Sequence, residues 1–213
     1  SYLLRGKGVL SIPNPIDTKV YHPMDQGMAR ELLGLPSGKR LLLFGALNVT
    51  DKREGIDYLI EALRRMEKQD VELVVFGQVK DDIRGLFPVP IHSMGYLSDE
   101  SKIVALYNAV DMFITSSLEE NLPNTIMESM ACGTPCVGFE IGGIPEMIDH
   151  RVNGYVANYK DAGDLANGIQ WVLEHEDRLA LSDACVKKVQ ENYTEEVVAK
   201  QYTALYEKLL KGE

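Results

Sequence analysis

Two glutamates, Glu120 and Glu128, are the side chains of this sequence best placed to do chemistry. They lie in the segment SSLEENLPNTIMESMACGTP, residues 116–135. Pro123 suits the first turn of a helix, where its missing N–H costs nothing, and Gly133 suits the position just past a helix end. The sequence therefore predicts a short helix that carries Glu128, preceded by a loop that carries Glu120.

The start of this predicted helix is suited to an anion. Around this start, Leu122, Asn124 and Thr125 present unpaired N–H groups beside Pro123, which has none. Together with the positive end of the helix dipole, these groups favour a diphosphate. Carboxylates on either side would accept hydrogen bonds from sugar hydroxyls. Thr125 and Glu128 lie on one helix face, because they are three positions apart. We interpret the segment as a binding site for a nucleotide sugar.

A glycoside hydrolase is an alternative, because it also uses two carboxyl groups, separated by about 5 to 9 Å. A hydrolase needs no phosphate site, so the predicted diphosphate site favours an activated sugar donor. For any single glutamate, a solvated surface position is the ordinary role.

Two further loops follow predicted strands. In the first, FGALNVTDKREG at residues 44–55, Lys52 and Arg53 stand where the next helix begins. Cations there oppose the helix dipole unless an anion lies between them and the helix. In the second, Gly142 and Gly143 give a permissive turn into another short helix. Both loops are therefore candidates for contact with the same ligand.

Strand and helix patterns alternate along the chain. Short apolar runs at residues 40–45, 71–77, 91–94, 111–115, 135–139 and 155–157 predict strands buried on both faces. Helical patterns lie between them, and the last stretch is helical at residues 165–175, 177–192 and 195–210, with Thr194 as an N-cap. We predict an α/β, Rossmann-like, doubly wound parallel sheet of about six strands with helices on both faces and a helical C-terminal tail. Its ligand crevice should lie at the carboxyl ends of the strands.

Glycines at two of these strand ends could admit a nucleotide base and ribose. Gly77 closes the second predicted strand, and Gly95 and Tyr96 directly follow the third predicted strand in the sequence. Glycine permits close approach of a planar group to the backbone. His92 is as well explained as a packed strand residue as by a ligand contact.

Composition excludes several classes of protein. The 213 residues carry a net charge of −10, which disfavours a nucleic-acid surface, and no apolar run approaches the roughly 20 residues of a membrane span. The three cysteines predict free thiols in a reducing cytoplasm rather than a disulfide framework. Without a Gly-x-Gly-x-x-Gly, a Walker loop or metal-ligand spacing, the sequence predicts no cofactor and no metal.

The Glu120 to Glu128 run and the following Gly142-Gly-Ile-Pro-Glu146 resemble the Glu-x7-Glu signature of retaining glycosyltransferases with two facing Rossmann-like domains, the GT-B type. This is glycosyltransferase family 4, or group 1, which includes many bacterial polysaccharide and lipopolysaccharide enzymes. The resemblance extends from Pro13 to about Leu210. It implies that Glu120 holds hydroxyls of the donor sugar, that Glu128 holds the ribose, and that Gly142 and Gly143 line the sugar pocket.

The resemblance also assigns a role to the loop that carries Lys52 and Arg53, here called the basic loop. In the family, the loop contacts the donor diphosphate and usually has a lysine just before its glycine. Here Glu54 stands at that position, before Gly55, so the phosphate contact would fall to Arg53 or Lys52. The donor would be a UDP- or GDP-sugar, and its own phosphate would take the acceptor proton.

The resemblance further implies a C-terminal half of a longer enzyme. Residues 1–25 would be the interdomain linker, with a short strand from Val9 and with Pro15 where glycine is common; residues 26–193 would bind the nucleotide sugar. The helix in residues 194–213 would pack on a missing N-terminal domain, or else on its own domain. The acceptor would bind mainly to the missing domain, through which the enzyme could also contact the inner face of the membrane.

Two other functions remain open. One is a non-catalytic domain that only binds a nucleotide sugar or packs with a partner, and the substitution at Glu54 leaves room for it. The other is a nucleotide-sugar epimerase of similar architecture, which fits the Glu-x7-Glu run less well.

Overall fold

A computed structural model of the chain describes residues 10–48, 51–66, 70–78 and 84–211. Six parallel strands form one sheet: β1 (Arg40–Asn48), β2 (Val71–Gln78), β3 (Ile91–Gly95), β4 (Met112–Thr115), β5 (Cys136–Phe139) and β6 (Gly154–Ala157). Their order is β3-β2-β1-β4-β5-β6. The chain runs outward from β1 to one edge and then returns to β4, so β1 and β4 flank the point where the strand order reverses.

Eight helices accompany the sheet in the described residues: α1 (Gln26–Leu33), α2 (Ile56–Arg65), α3 (Glu100–Ala109), α4 (Asn124–Ala131), α5 (Ile144–Met147), α6 (Ala162–Leu173), α7 (Arg178–Asn192) and α8 (Glu195–Leu210). α2 and α6 pack together on one face of the sheet, and α1, α3, α4 and α7 cover the other. None of these helices is both long and apolar enough to cross a bilayer.

The strands are apolar throughout because both faces of the sheet are covered. Along β1, Leu41 and Leu43 enter one hydrophobic core, while Leu42 and Phe44 enter the other, and all four are at most 1% exposed. Successive strand residues point to opposite faces, so a sheet covered on both sides selects continuous apolar runs. The predicted doubly wound sheet with helices on both faces and a helical C-terminal end is confirmed.

The strand expected near the start of the chain is wrong for the part that the structure describes. Residues 10–15 form no strand, and Val9 lies outside the described residues. Ile16 makes only a single bridge to Thr194. Pro13 and Pro15 explain the difference, because a proline has no N–H to donate to a strand ladder.

Candidate functional site

The candidate site lies where the carboxyl ends of β1 and β4 meet. Two loops leave the sheet there, residues 49–55 and residues 116–123, and only Val49 and Thr50 of these are outside the described part. The Leu118 N–H donates to the Arg53 carbonyl at 2.6 Å, and the Ser116 hydroxyl donates to the Glu54 carbonyl at 2.8 Å. The basic loop and the loop of residues 116–123, here called the carboxylate loop, are therefore joined directly.

The helix predicted around Glu128 is α4, and its start is open. It begins at Asn124, with Pro123 as the N-cap in extended conformation, and no side chain caps its first turn. Pro123 thus stands one position earlier than the first helical residue. At the other end Gly133 follows the last turn with a positive φ of 77°. No described side chain accepts a hydrogen bond from the N–H groups of this first turn, which is the arrangement that favours an anion.

Glu128 is held by a neighbouring helix. Its Oε2 accepts a hydrogen bond from the hydroxyl of Tyr107, a fully buried residue of α3, at 2.9 Å. Burial raises the pKa of Glu128 above its ordinary value, the Tyr107 bond opposes that rise, and repulsion from Glu100 adds to it. Glu128 is therefore an oriented, partly buried carboxyl group on the face of α4 that Thr125, also half-buried, shares.

Glu120 lies on a loop that a third segment approaches closely. At Gly142, where φ is 55°, an added Cβ would collide with the carbonyl oxygen of Glu120. The next residue, Gly143, donates its N–H to the Asn121 carbonyl, and a Cβ added to it would collide with the side chain of Leu122. The structure thus brings the two glycines against the loop of the first carboxylate, and only glycine fits at Gly142.

The basic loop is organised differently from what its composition suggests. Arg53 forms a two-point contact with Asp51, with Nη2 to Oδ2 at 2.9 Å and Nε to Oδ1 at 3.3 Å. That hydrogen bonding raises the pKa of Arg53. Lys52 is exposed. Both cations lie at the site, and the guanidinium is already engaged with a carboxylate.

Glu54 faces the other loop. Its Oε2 accepts a hydrogen bond from the Ser117 hydroxyl at 3.1 Å. Burial raises the pKa of Glu54, the Ser117 bond opposes this, and the negative charges of Glu120 and Asp51 raise it further. The sequence marked Glu54 as a departure from the family pattern but did not indicate its orientation.

The glycines assigned to the base and ribose lie at the same edge of the sheet. An added Cβ at Gly77, where φ is 123°, would collide with the Ala46 carbonyl, so packing of β2 on β1 already requires glycine there. Gly95 has open space around its Cα, and Tyr96 is 63% exposed. His92 pairs with Glu72 at 2.6 Å between neighbouring strands, which favours the packed strand role.

Tyr159 is a site residue that the sequence did not reveal. It follows β6, and its hydroxyl donates to the Leu118 carbonyl at 2.9 Å. Its ring packs edge-on against Phe139 with centroids 6.3 Å apart. An aromatic residue just after a predicted strand was the available signal, but its partner lies 41 positions away along the chain. The segment after β6 therefore also contacts the carboxylate loop, through the hydroxyl of Tyr159.

Within the described residues, no group of three or more His, Cys, Asp or Glu side chains is arranged to hold a metal ion. All three cysteines are free and buried, and burial raises the pKa of Cys132 and Cys136 to about 12. At neutral pH these thiols are protonated, so they are packing groups rather than nucleophiles.

Residues 38–175 match the sequence model of a family described as glycosyl transferases group 1. The chain belongs to this family. The match includes both loops, α4 and the two glycines of the third segment. N-acetyl-alpha-D-glucosaminyl L-malate synthase of Bacillus anthracis is 24% identical over 213 residues, which cover 97% of this chain and 55% of that enzyme. The chain spans about half the length of the curated relatives it matches.

Solved structures of this family's fold superpose well. The Anabaena Alr3699/HepE structure in complex with UDP and glucose has a TM-score of 0.79 at 20% identity, covering 97% of this chain and 59% of that one. The C-terminal domain of a glycosyl transferase group 1 family protein, LpcC, from Francisella tularensis has a TM-score of 0.70 at 21% identity. That comparison covers 84% of this chain and 99% of the Francisella domain. The fold therefore corresponds to one half of a GT-B enzyme.

Proposed function

We propose that this chain is the donor-binding half of a retaining glycosyltransferase that transfers a sugar from a UDP- or GDP-sugar to an acceptor. The observation that carries the proposal is the open start of α4, which lies at the reversal point of the sheet between Glu120 and Glu128. Nucleotide ligands of open α/β sheets bind at this point. We propose a role in bacterial polysaccharide or lipopolysaccharide synthesis.

In this proposal the diphosphate lies at the first turn of α4, where N–H groups and the helix dipole stabilise its charge. Glu128 accepts hydrogen bonds from the ribose hydroxyls, and its bond from Tyr107 fixes the direction of the carboxyl group. Glu120 accepts hydrogen bonds from the donor sugar beside Gly142 and Gly143. The base lies toward Gly77, Gly95 and Tyr96.

The positive charge of the basic loop stabilises the departing nucleotide diphosphate, since charge develops there in the transition state. Arg53 exchanges its contact with Asp51 for the phosphate, or shares its N–H groups between the two. Lys52 adds a second cation. The donor phosphate takes the acceptor proton, so the chemistry requires no protein base and, we propose, no metal ion and no cofactor.

The missing half would supply the acceptor site and any contact with the cytoplasmic face of the membrane. α8 supports such a half, because its residues Tyr202, Tyr206, Leu209 and Leu210 are exposed, whereas Val198 is its only described buried residue. Complexes with UDP and glucose in the Anabaena protein of this fold support a nucleotide sugar as donor.

A second candidate is a domain that binds nucleotide sugars without catalysis. The engagement of Arg53 by Asp51 and the acid at Glu54 favour it, since both reduce the positive charge available to a leaving group. Turnover by the full-length protein that Glu120→Gln abolishes would exclude this candidate; unchanged turnover in that variant would remove Glu120 from the site.

Binding is tested by calorimetric titration of this chain with UDP-glucose and GDP-mannose. We expect one of them to bind with a Kd between about 1 µM and 1 mM, the range in which the KM values of enzymes lie. Glu120→Gln and Glu128→Gln should weaken binding, whereas Glu207→Gln, on the exposed side of α8, should not. Absence of heat with both nucleotide sugars at millimolar concentration would overturn the proposal.

A further inference from the structure

Glu54 is tied to the carboxylate loop through both its main chain and its side chain. The Ser116 hydroxyl donates to its carbonyl at 2.8 Å, and the Ser117 hydroxyl donates to its Oε2 at 3.1 Å. These serines directly follow β4, and their chain continues through Glu120 into α4. The half-buried carboxyl group of Glu54 is therefore held between the basic loop and the loop that leads to the proposed diphosphate site.

The charges around Glu54 are mostly negative. Glu120 faces it from the β4–α4 loop, and Asp51 faces it from its own loop. Arg53 is the cation that acts on Glu54, and its guanidinium is held by Asp51. The neighbouring groups are Lys52 and Glu119, both exposed, and Tyr159, whose hydroxyl is bound to the Leu118 carbonyl. A second anion at this place therefore meets the carboxylates of Glu120 and Asp51 as well as the cations of the basic loop.

The contacts of Glu54 point to a proton-dependent role. We propose, on the basis of the donor site proposed above, that Glu54 takes up one proton from solvent when a nucleotide sugar binds and donates a hydrogen bond to its diphosphate. An ionised carboxylate can only accept hydrogen bonds and would repel the phosphate, whereas a protonated carboxyl group is a donor. Glu54 then supplies at this position a neutral donor, where the usual lysine would supply a cation.

The surroundings of Glu54 make proton uptake accessible. Burial already favours the neutral form in the free protein and raises the pKa of Glu54. A bound diphosphate adds negative charge and raises it again. At pH values between the pKa of Glu54 in the free protein and its pKa in the complex, the affinity should fall as pH rises. The fall should reach at most about tenfold for each unit by which pH increases.

The test is calorimetry with UDP-glucose, whose diphosphate is esterified at both ends and does not itself titrate between about pH 5 and pH 8. Two buffers of different ionisation enthalpy at each pH give the number of protons taken up. We expect uptake approaching one proton for the unmodified chain. Glu54→Gln should take up none, and its affinity should not depend on pH in this range.

Glu119→Gln is the matched control, because this neighbouring glutamate is exposed on the same loop as Glu120. It should leave proton uptake unchanged. Binding without proton uptake, or uptake that persists in Glu54→Gln, would refute the role of Glu54 and leave the donor site intact. If neither UDP-glucose nor GDP-mannose binds to the unmodified chain or to Glu54→Gln at any pH, the donor site fails, and the role of Glu54 fails with it.

Discussion

Glu128 illustrates how a single carboxyl group is prepared for binding. Tyr107 lies on α3, is fully buried, and orients one oxygen of Glu128. The sequence predicted the importance of Glu128 from its spacing to Glu120 and its place on a helix. It did not predict Tyr107, because the residue fits the apolar stripe of α3, and its hydroxyl contact joins positions 21 apart.

The raised pKa of Glu128 gives a pH dependence of stability. Its carboxyl group binds its proton more tightly in the folded chain than in the unfolded chain, where the ordinary pKa is about 4.3. The free energy of unfolding should therefore fall as pH rises from that value through the raised one. Glu128→Gln should remove the part of this decrease that is due to Glu128. Urea denaturation at several pH values measures the free energy of unfolding.

Glu207→Gln is the control for this measurement, because Glu207 is exposed on α8. Its pH profile should match that of the unmodified chain. A Glu128→Gln profile that also matches would show that burial does not perturb Glu128.

At the scale of elements, the six strands and the long helices were predictable because their apolar patterns reflect two buried sheet faces. α1 was not predicted. It has only Ala29 and Arg30 buried, and its position depends on Arg30, which donates to the Ala109 carbonyl 79 positions away. The loop geometry at the site was also beyond prediction, because the contacts of Glu54 with Ser117 and of Tyr159 with Leu118 join distant segments.

A substitution at Gly55 tests the close contact between the basic loop and the carboxylate loop. Its φ is 65°, and an added Cβ would collide with the Ser116 carbonyl. Gly34 at the end of α1 has a φ of 66° with open space around it. Gly34→Ala should cost about 1 to 2 kcal/mol, the strain of a left-handed alanine. Gly55→Ala should lower the free energy of unfolding further and also weaken UDP-glucose binding.

Equal losses for the two alanine variants, measured by urea denaturation, would mean that the loops adapt to the added Cβ. In that case the contact between Gly55 and Ser116 would not determine the position of the carboxylate loop.

A substitution at Tyr159 tests whether its hydrogen bond holds the carboxylate loop in position. Tyr159→Phe keeps the ring contact with Phe139 but removes the hydrogen bond to the Leu118 carbonyl. One such bond is worth about 1 kcal/mol, so the affinity for UDP-glucose should fall by about three- to tenfold. Tyr206→Phe, the same change on exposed α8, should leave the affinity unchanged. Unchanged binding by Tyr159→Phe would show that the loop keeps its position without Tyr159.

For the whole molecule, Asp111 connects elements at the amino-end edge of the sheet, opposite the candidate site. This buried residue, which precedes β4, accepts hydrogen bonds from the Leu41 N–H at 2.7 Å and from Arg30 at 3.1 Å. Arg178 and Arg40 approach it at 2.7 and 3.3 Å. Burial raises the pKa of Asp111, while the Leu41 N–H, Arg30 and Arg40 oppose the rise. A single carboxylate thus joins α1, β1 and α7.

Asp111→Asn should lower the free energy of unfolding by about 3 to 5 kcal/mol, because it leaves Arg30 buried beside no negative charge. Urea denaturation measures the loss. Asp70→Asn is the control, since Asp70 pairs with Lys39 at the surface and its removal should change stability little. A loss in Asp111→Asn no larger than in the control would show that the three arginines are stable without their carboxylate.

Two of the connections between the site loops run through main-chain atoms alone: the Leu118 N–H donates to the Arg53 carbonyl, and the Gly143 N–H donates to the Asn121 carbonyl. Such bonds do not depend on which side chains the residues carry. Position 121 can therefore be randomised in a library without loosening the scaffold beneath it, whereas Arg53 stays fixed as the proposed diphosphate contact. Donor preference in this protein should accordingly be evolvable by substitution at a few positions, with little loss of expression or thermal tolerance.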